Sequence, residues 1–221
     1  MSDAASTDKP ILAATSWALL GMLTYNQELT GYDLRKWIDW SLRYFYGSPA
    51  YSQIYSDLKK LERLGLVTSR VEAGSGARSR RLYKITDAGN EAATAWVNEA
   101  PVEPPTLKHN ALLRVTFGHL TNPSQLRELL QEHVDYAEKM HRQAAKDAKW
   151  SKVEPAWAYA HLALQWAERY YANERELALK MIKELDEAEA VFHAAKLDDQ
   201  TAPWPAQDSW HEVERQADAD E

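Results

Sequence analysis

Ser48-Pro-Ala-Tyr-Ser-Gln-Ile-Tyr-Ser-Asp-Leu-Lys-Lys-Leu-Glu-Arg-Leu-Gly65, followed by Leu66-Val-Thr-Ser-Arg-Val-Glu72, is the stretch that decides the fold. Ser48 can cap a helix with its hydroxyl, Pro49 suits a first helical position where no backbone N–H is needed, and Gly65 supplies the stop. The spacing predicts a helix over residues 49–64. At about 100° per residue, Tyr51, Ile54, Leu58 and Leu61 fall on one side, while Ser52, Ser56, Lys59 and Arg63 fall in a narrow arc opposite. Two strand-like runs follow, residues 66–72 and 78–86, joined by the turn Ala73-Gly-Ser-Gly-Ala77. A helix followed by a basic hairpin predicts a winged helix.

An α-helix fits the major groove of a duplex, where side chains near its N-terminus reach base edges. Ser52, Gln53, Tyr55 and Ser56 are placed for that. Lys59, Arg63 and the hairpin residues Arg78, Arg80 and Arg81 suit phosphates, which supply affinity without sequence information. A basic helix face alone is more often an ordinary solvated surface; the Arg-rich hairpin beside it favours nucleic acid.

Several segments together resemble the PadR transcriptional regulators, specifically the longer members with a C-terminal helical domain. They are Leu19-Leu-Gly-Met-Leu23, Thr30-Gly-Tyr-Asp-Leu34, Tyr51-Ser-Gln-Ile-Tyr55, Leu58-Lys-Lys-Leu-Glu-Arg-Leu-Gly-Leu-Val67 and Arg81-Leu-Tyr-Lys-Ile-Thr-Asp-Ala-Gly89, ending near Trp96. They cover about residues 11–97 in the family's order. The resemblance implies a homodimeric winged-helix repressor that binds double-stranded DNA at a near-palindromic operator and is released by a small, often aromatic, effector. Tyr32, in the second of these segments, joins the DNA-binding set. At position 56 the chain has Ser in place of the Pro or Arg expected after the Ile-Tyr pair.

Two hundred and twenty-one residues make one large or two small domains. The absence of cysteine excludes disulfides, thiol nucleophiles and cysteine-ligated metals, and gives no sign of an oxidising compartment, so a cytoplasmic location is expected. A net charge of −7 seems to oppose DNA binding, but it is unevenly placed. Residues 198–221 hold eight acids and one base, whereas residues 30–90 hold eleven bases and six acids. The uncharged run Pro10 to Gln27 follows acidic residues and lacks a cleavage site, so it reads as a buried first helix capped by Thr15 or Ser16, not as a signal or membrane segment.

The expected fold is mainly α with a small β wing: an N-terminal winged helix-turn-helix and a C-terminal, coiled-coil-like dimerisation domain. Residues 1–9 are expected as a flexible arm, 10–100 as the DNA-binding domain, 101–105 as a Pro-rich linker, 106–197 as the helical domain and 198–221 as a disordered acidic tail. Within the first domain, Thr30 and Asp33 suit a capping box, and Leu34, Ile38, Leu42 and Phe45 form a packing stripe. A further helix, 87–98, starts after Thr86. In the second domain, Asn122-Pro123 opens a helix carrying Leu126, Leu130, His133, Ala137, Met140 and Ala144 at helical steps.

The last helix, predicted over residues 155–196, has a heptad seam. Trp157, Leu164, Tyr171, Ala178, Leu185 and Phe192 recur every seven residues, and the positions three later are Ala160, Ala167, Glu174, Met181, Ala188 and Ala195. Glu174 is its one break. Such a seam serves a second copy of the chain, an intrachain hairpin with residues 122–149, or both; Trp157, Leu164, Tyr171, Ala178, Met181, Leu185 and Phe192 are the dimerisation candidates.

Catalytic motifs are absent: there is no GxSxG, HExxH or paired-carboxylate pattern, and Gly74-Ser-Gly76 lacks the residues of a phosphate cradle. No enzyme activity and no cofactor are expected. His133 and His141, eight apart, read as packing or surface histidines, so no metal site is expected. Trp157, His161, Trp166, Arg169 and Tyr170 would suit a flat aromatic acid, although aromatics at helical spacing are more often core. The competing class is a winged-helix protein-interaction module whose basic face is incidental. The acidic tail reads as an inert solvated end or as a competitor with phosphates for the basic hairpin.

Overall fold

Gly65 ends the helix quoted above with a left-handed turn, φ +70°. Gly65 N–H donates to Glu62 O at 3.0 Å and Leu66 N–H to Leu61 O at 3.0 Å, the paired bonds of a Schellman cap. A computed structural model describes residues 12–73, 79–195 and 208–219. The chain divides into two units, residues 1–106 with 142–168 and residues 107–141 with 169–221.

In the first unit the elements are α1 (Ala14–Leu23), β1 (Leu29–Thr30), α2 (Gly31–Ser41), α3 (Tyr51–Arg63), β2 (Val67–Glu72), β3 (Arg80–Ile85) and α4 (Asp87–Glu99). The three strands form an antiparallel sheet in the order β1-β3-β2, with Val67 opposite Ile85 and Glu72 opposite Arg80. The two-residue β1, pairing Leu29 with Tyr83, is too short to leave a period-two pattern in the sequence. Leu19, Leu20, Leu23, Leu34, Ile38, Ile54, Leu58 and Leu61 are fully buried and close against Val67, Tyr83 and Ile85. Burying that many large aliphatic side chains, each worth about 1.5–3 kcal/mol, gives this unit its own core.

Two predicted caps move. The α1 N-cap is Ala13, with no side-chain bond, and Thr15 and Ser16 lie inside the helix; the buried Leu12 sets the chain's entry earlier than expected. The α3 N-cap is Ala50, not Ser48, because the Ser48 hydroxyl is donated to Asp39 instead. The capping box at Thr30 forms as expected: Asp33 N–H donates to Thr30 Oγ1 at 3.1 Å and Thr30 N–H to Asp33 Oδ2 at 3.2 Å. The α2 packing stripe stops early. The helix ends at Ser41, and Phe45 is exposed in the turn beyond it.

Thr86 ties the wing to the helices. Its Oγ1 accepts Gly89 N–H at 3.0 Å, capping α4, and donates to Gly65 O at 2.7 Å, while its N–H donates to Leu66 O at 3.1 Å. Gly89 is required there: a Cβ would sit 2.1 Å from Leu66 O.

Residues 142–168, expected in the helical domain, pack with the first unit. They are the end of α6 (Pro123–Ser151), a 3-10 turn over Pro155–Trp157 and the start of α7 (Ala158–Ala194). Asp147, almost fully buried, accepts from the Tyr44 hydroxyl, from Arg43 Nη2 at 3.3 Å and from Gln143 Nε2 at 3.0 Å. Burial, reinforced by the Asp147 bond, holds the Tyr44 hydroxyl well above its ordinary pKa. Trp157 packs its ring 5.2 Å from that of Trp40 and 6.2 Å from that of Trp37.

The second unit contains α5 (Asn110–Thr116), residues 123–141 of α6, residues 169–194 of α7, and α8 (Ser209–Ala219). Gln125 N–H donates to Asn122 Oδ1 at 3.0 Å, the expected cap of α6. Leu126, Leu129, Leu130 and Leu185 form its core, with Val115, Met181 and Ile182 beside them. The tail is not wholly unstructured as expected, since residues 209–219 form α8. Its acids are interleaved with strong helix formers and locally paired, Glu212 with Arg215 and Gln216, His211 with Glu214. The arm at residues 1–9 and the first part of the tail, 198–207, lie outside the described residues. No helix among the described residues is long and apolar enough to cross a membrane.

Candidate nucleic-acid interface

The polar arc of α3 faces solvent as expected: Ser52, Ser56, Lys59 and Arg63 are exposed, and Tyr55 is 41% exposed. Ile54, Leu58 and Leu61 on the other face are sealed in the core, so the helix has one orientation available. Gly31 brings α2 against α3: a Cβ there would lie 2.5 Å from Tyr55 Cε1, so its absence lets the Tyr55 ring lie over the first turn of α2.

Two predicted positions behave differently. Gln53 lies on the exposed side, but its Nε2 donates to Asp57 Oδ2 at 3.0 Å, satisfying a carboxylate that is 95% buried. Tyr51, expected in the packing stripe, is 44% exposed because α3 begins with it, one turn before the core closes. Its ring stacks on that of Tyr32, centroids 6.1 Å apart and nearly parallel. Arg35 lies 5.6 Å over Tyr51, and Lys36 Nζ 4.7 Å over Tyr32. The Tyr32 hydrogen bond keeps the Lys36 ammonium above its ordinary pKa. Tyr32, Tyr51, Arg35 and Lys36 thus form a cationic, aromatic shelf beside the N-terminal end of α3.

The wing arginines are exposed but engaged. Arg80 meets Glu72, Nε to Oε2 at 2.6 Å, and Arg81 donates to Ser69 Oγ at 3.0 Å and lies 3.9 Å from Glu62 Oε2. Arg70 bridges Glu28 and Glu72. The cationic side chains are held in defined positions by exposed ion pairs, which cost little to open. Arg78 lies outside the described residues.

The heptad seam is occupied within the chain. Leu164, Ala167, Tyr171, Ala178 and Leu185 are buried, and Leu185 packs on Leu126, Leu129 and Leu130. Of the residues expected to dimerise, Leu185 packs on α6, Leu164, Tyr171 and Ala178 are buried within the chain, Met181 and Phe192 are half-buried, and Trp157 packs on Trp37 and Trp40. Other apolar side chains of α7 face outward: Leu177 is 60% and Val191 66% exposed in the second unit, and Tyr159, Leu162 and Trp166 are exposed in the first.

The predicted effector residues fall in both units. Trp157 packs on Trp37 and Trp40, His161 Nδ1 lies 2.9 Å from Ser151 Oγ, and Trp166 meets Phe45 edge-on. In the second unit Arg169 is exposed and Tyr170 lies against Tyr171. His133 does not pair with His141. It meets His109 and Glu174, contacts that residue spacing does not reveal because they come from three separate elements.

The fold has counterparts among known proteins. The transcriptional regulator PadR-like family matches residues 19–95, the segment from α1 to α4. Residues 19–95 are a PadR-like domain. The negative transcriptional regulator PadR of Bacillus subtilis is 29% identical over 118 residues, 53% of this chain. That match spans 64% of the relative's own length. Crystal structures agree in fold: B. subtilis PadR bound to operator DNA gives a TM-score of 0.68 at 22% identity over 78% of this chain and 99% of its own. The same protein with p-coumaric acid gives 0.62 at 22% identity over 79% and 99%. The PadR-like regulator BC1756 of Bacillus cereus gives 0.66 at 22% identity over 78% and 98%. The PadR winged helix with additional C-terminal helices is thus the fold of this chain.

Proposed function

We propose that this chain is a sequence-specific DNA-binding regulator of transcription, a homodimeric repressor in the cytoplasm that occupies a near-palindromic operator and is released by a small phenolic or aromatic acid. The single observation that carries it is the exposed polar arc of α3 flanked by the Tyr32–Tyr51 shelf and the wing arginines. The PadR-like domain adds to it, as do the B. subtilis relative's description as a negative regulator and its crystal structures with operator DNA and p-coumaric acid.

In this reading Ser52, Tyr55 and Ser56 enter the major groove, while Lys59, Arg63, Lys36, Arg80 and Arg81 take phosphates. Arg80 and Arg81 exchange Glu72 and Glu62 for phosphate oxygens, a trade between exposed partners that is nearly neutral before counterion release. Dimerisation uses the outward side chains of α7, Leu177 and Val191 among them, because most of the seam from Leu164 to Leu185 is already buried within the chain. Two copies place their α3 helices about one helical turn of DNA apart, or a multiple of it. The effector acts by favouring a dimer geometry with another spacing.

The test is fluorescence anisotropy of the full chain on random duplex and on fragments selected from the host genome, over a range of salt. Electrostatic DNA binding gives a steep fall of log K with log salt, about 0.9 per phosphate contact. A flat salt dependence, or equal affinity for every duplex including the selected ones, would favour the protein-interaction module instead.

A further inference from the structure

We propose that His109, His133 and Glu174 form a binding site for a single divalent transition-metal ion of the Zn2+ class, joining α5, α6 and α7 in the second unit. His109 is the N-cap of α5, His133 lies in the middle of α6, and Glu174 interrupts the apolar seam of α7. Both imidazoles direct Nε2 at one carboxylate oxygen, His109 at 2.6 Å and His133 at 2.8 Å from Glu174 Oε1. All three candidate ligand atoms lie within 4.8 Å of one another. Tetrahedral zinc, with bonds of about 2.0–2.2 Å, separates neighbouring ligand atoms by about 3.3 Å, so loading draws each imidazole nitrogen back from the shared carboxylate oxygen by well under about 1 Å.

The donor chemistry selects the ion. Two imidazole nitrogens and one carboxylate suit zinc, copper or nickel better than magnesium or calcium, which favour oxygen. Side-chain exposures of 11%, 14% and 18% limit contact with bulk water without sealing the ligands from it, as a fourth, water ligand requires. The position also matters: an acid in a heptad seam is costly unless something compensates it, and here the compensation is a pair of imidazoles brought from 41 and 65 residues away.

Metal binding has a local consequence. His109 Nδ1 accepts Leu112 N–H at 3.1 Å, so the ring's proton sits on Nε2 and is donated to Glu174. A cation on Nε2 moves that proton to Nδ1, where it faces the Leu112 N–H. Two donors cannot share the bond, and the cap of α5 opens. The ion therefore replaces a hydrogen-bonded cap with coordination to α6 and α7.

The experiment titrates Zn2+ and Co2+ into the chelator-treated full-length chain and reads calorimetric stoichiometry and Co2+ visible absorption. One ion per chain with the absorption of a low-coordinate site is expected, together with faster amide exchange at Leu112. His109→Asn keeps an N-cap acceptor while removing the imidazole, so it isolates ligation from folding. It and Glu174→Gln should each weaken binding by more than about 100-fold, beyond the range of outer-shell substitutions. His141→Ala, outside the cluster, should leave it unchanged. Equal affinity in His109→Asn, loss of binding in His141→Ala, or unaltered Leu112 exchange in the metal-loaded chain would each overturn the assignment. DNA binding plays no part in any of these readouts.

Discussion

Gly89→Ala separates packing from propensity, because the two demand opposite signs. Gly89 is the third residue of α4, where exchange for Ala gains up to about 1 kcal/mol from helix propensity alone. The structure forbids that gain. A Cβ would lie 2.1 Å from the backbone oxygen of Leu66 and 2.8 Å from Ile85 Cγ1, and neither atom is the free end of a flexible side chain. Relief requires the first turn of α4 to move off the base of the wing. That stretches Thr86 N–H to Leu66 O and Thr86 Oγ1 to Gly65 O, each worth about 1 kcal/mol, and adds an overpacking cost of about 1–3 kcal/mol. After the propensity gain, a net loss of about 2–4 kcal/mol is expected.

Gly65→Ala is the control. Its φ of +70° is unfavourable for Ala by about 1–2 kcal/mol, but nothing lies within 4 Å of the added carbon. Urea unfolding of both variants, with amide exchange across the Val67–Ile85 ladder to isolate the first unit, ranks them. A Gly89→Ala protein as stable as the parent, or more stable than Gly65→Ala, would refute the close-approach argument.

Lys59→Ala and Arg63→Ala should each weaken binding to every duplex alike and lower the salt slope by about 0.9, measured by anisotropy. Gln53→Ala should cost about 1–3 kcal/mol of stability in urea as well as any change in selected sequence, because Asp57 loses its partner; unchanged stability would show that water replaces the amide. Tyr44 carries a pKa above its ordinary value of about 10, so the folded state holds its proton more tightly than the unfolded one. Its contribution is complete below about pH 10 and lost as the pH rises toward the folded pKa. A pH series of urea midpoints should therefore fall more steeply above pH 10 in the parent than in Tyr44→Phe. Leu177→Glu and Val191→Glu should yield folded monomers in sedimentation, whereas Leu185→Asp should unfold the second unit, since only Leu185 is buried.

The winged helix was legible because its signals are local. A Gly stop, a capping box and a run of apolar residues at helical spacing act within one or two turns, and α2, α3, β2, β3 and α4 lie within a few residues of their expected limits. The two-residue β1 left no trace, since two residues carry no period. Ser48 misled for a related reason: its hydroxyl had two possible partners, and Asp39, nine residues away, outbid the backbone. Residues 142–168 group with the first unit and carry the buried Asp147, whose partners Tyr44 and Arg43 lie more than a hundred residues away, and no pattern along the chain encodes such a pairing.

The same limit explains the seam. A heptad of Leu, Tyr and Ala states that a helix is covered, and is silent on whether the cover is its own chain or another. Leu185 against Leu126, Leu129 and Leu130 shows that the chain covers its own seam at that level, and in the proposed dimer this turns association toward the exposed Leu177 and Val191. Glu174 then changes meaning. As one letter in a heptad it is a defect; between His109 and His133 it is the residue that makes the seam polar at one level, where an apolar side chain would leave two half-buried imidazoles without an acceptor. A break in a pattern is thus informative in proportion to how well the rest of the pattern is obeyed: an acid at a single level of an otherwise apolar seam implies partners on the facing elements, even before those partners are known.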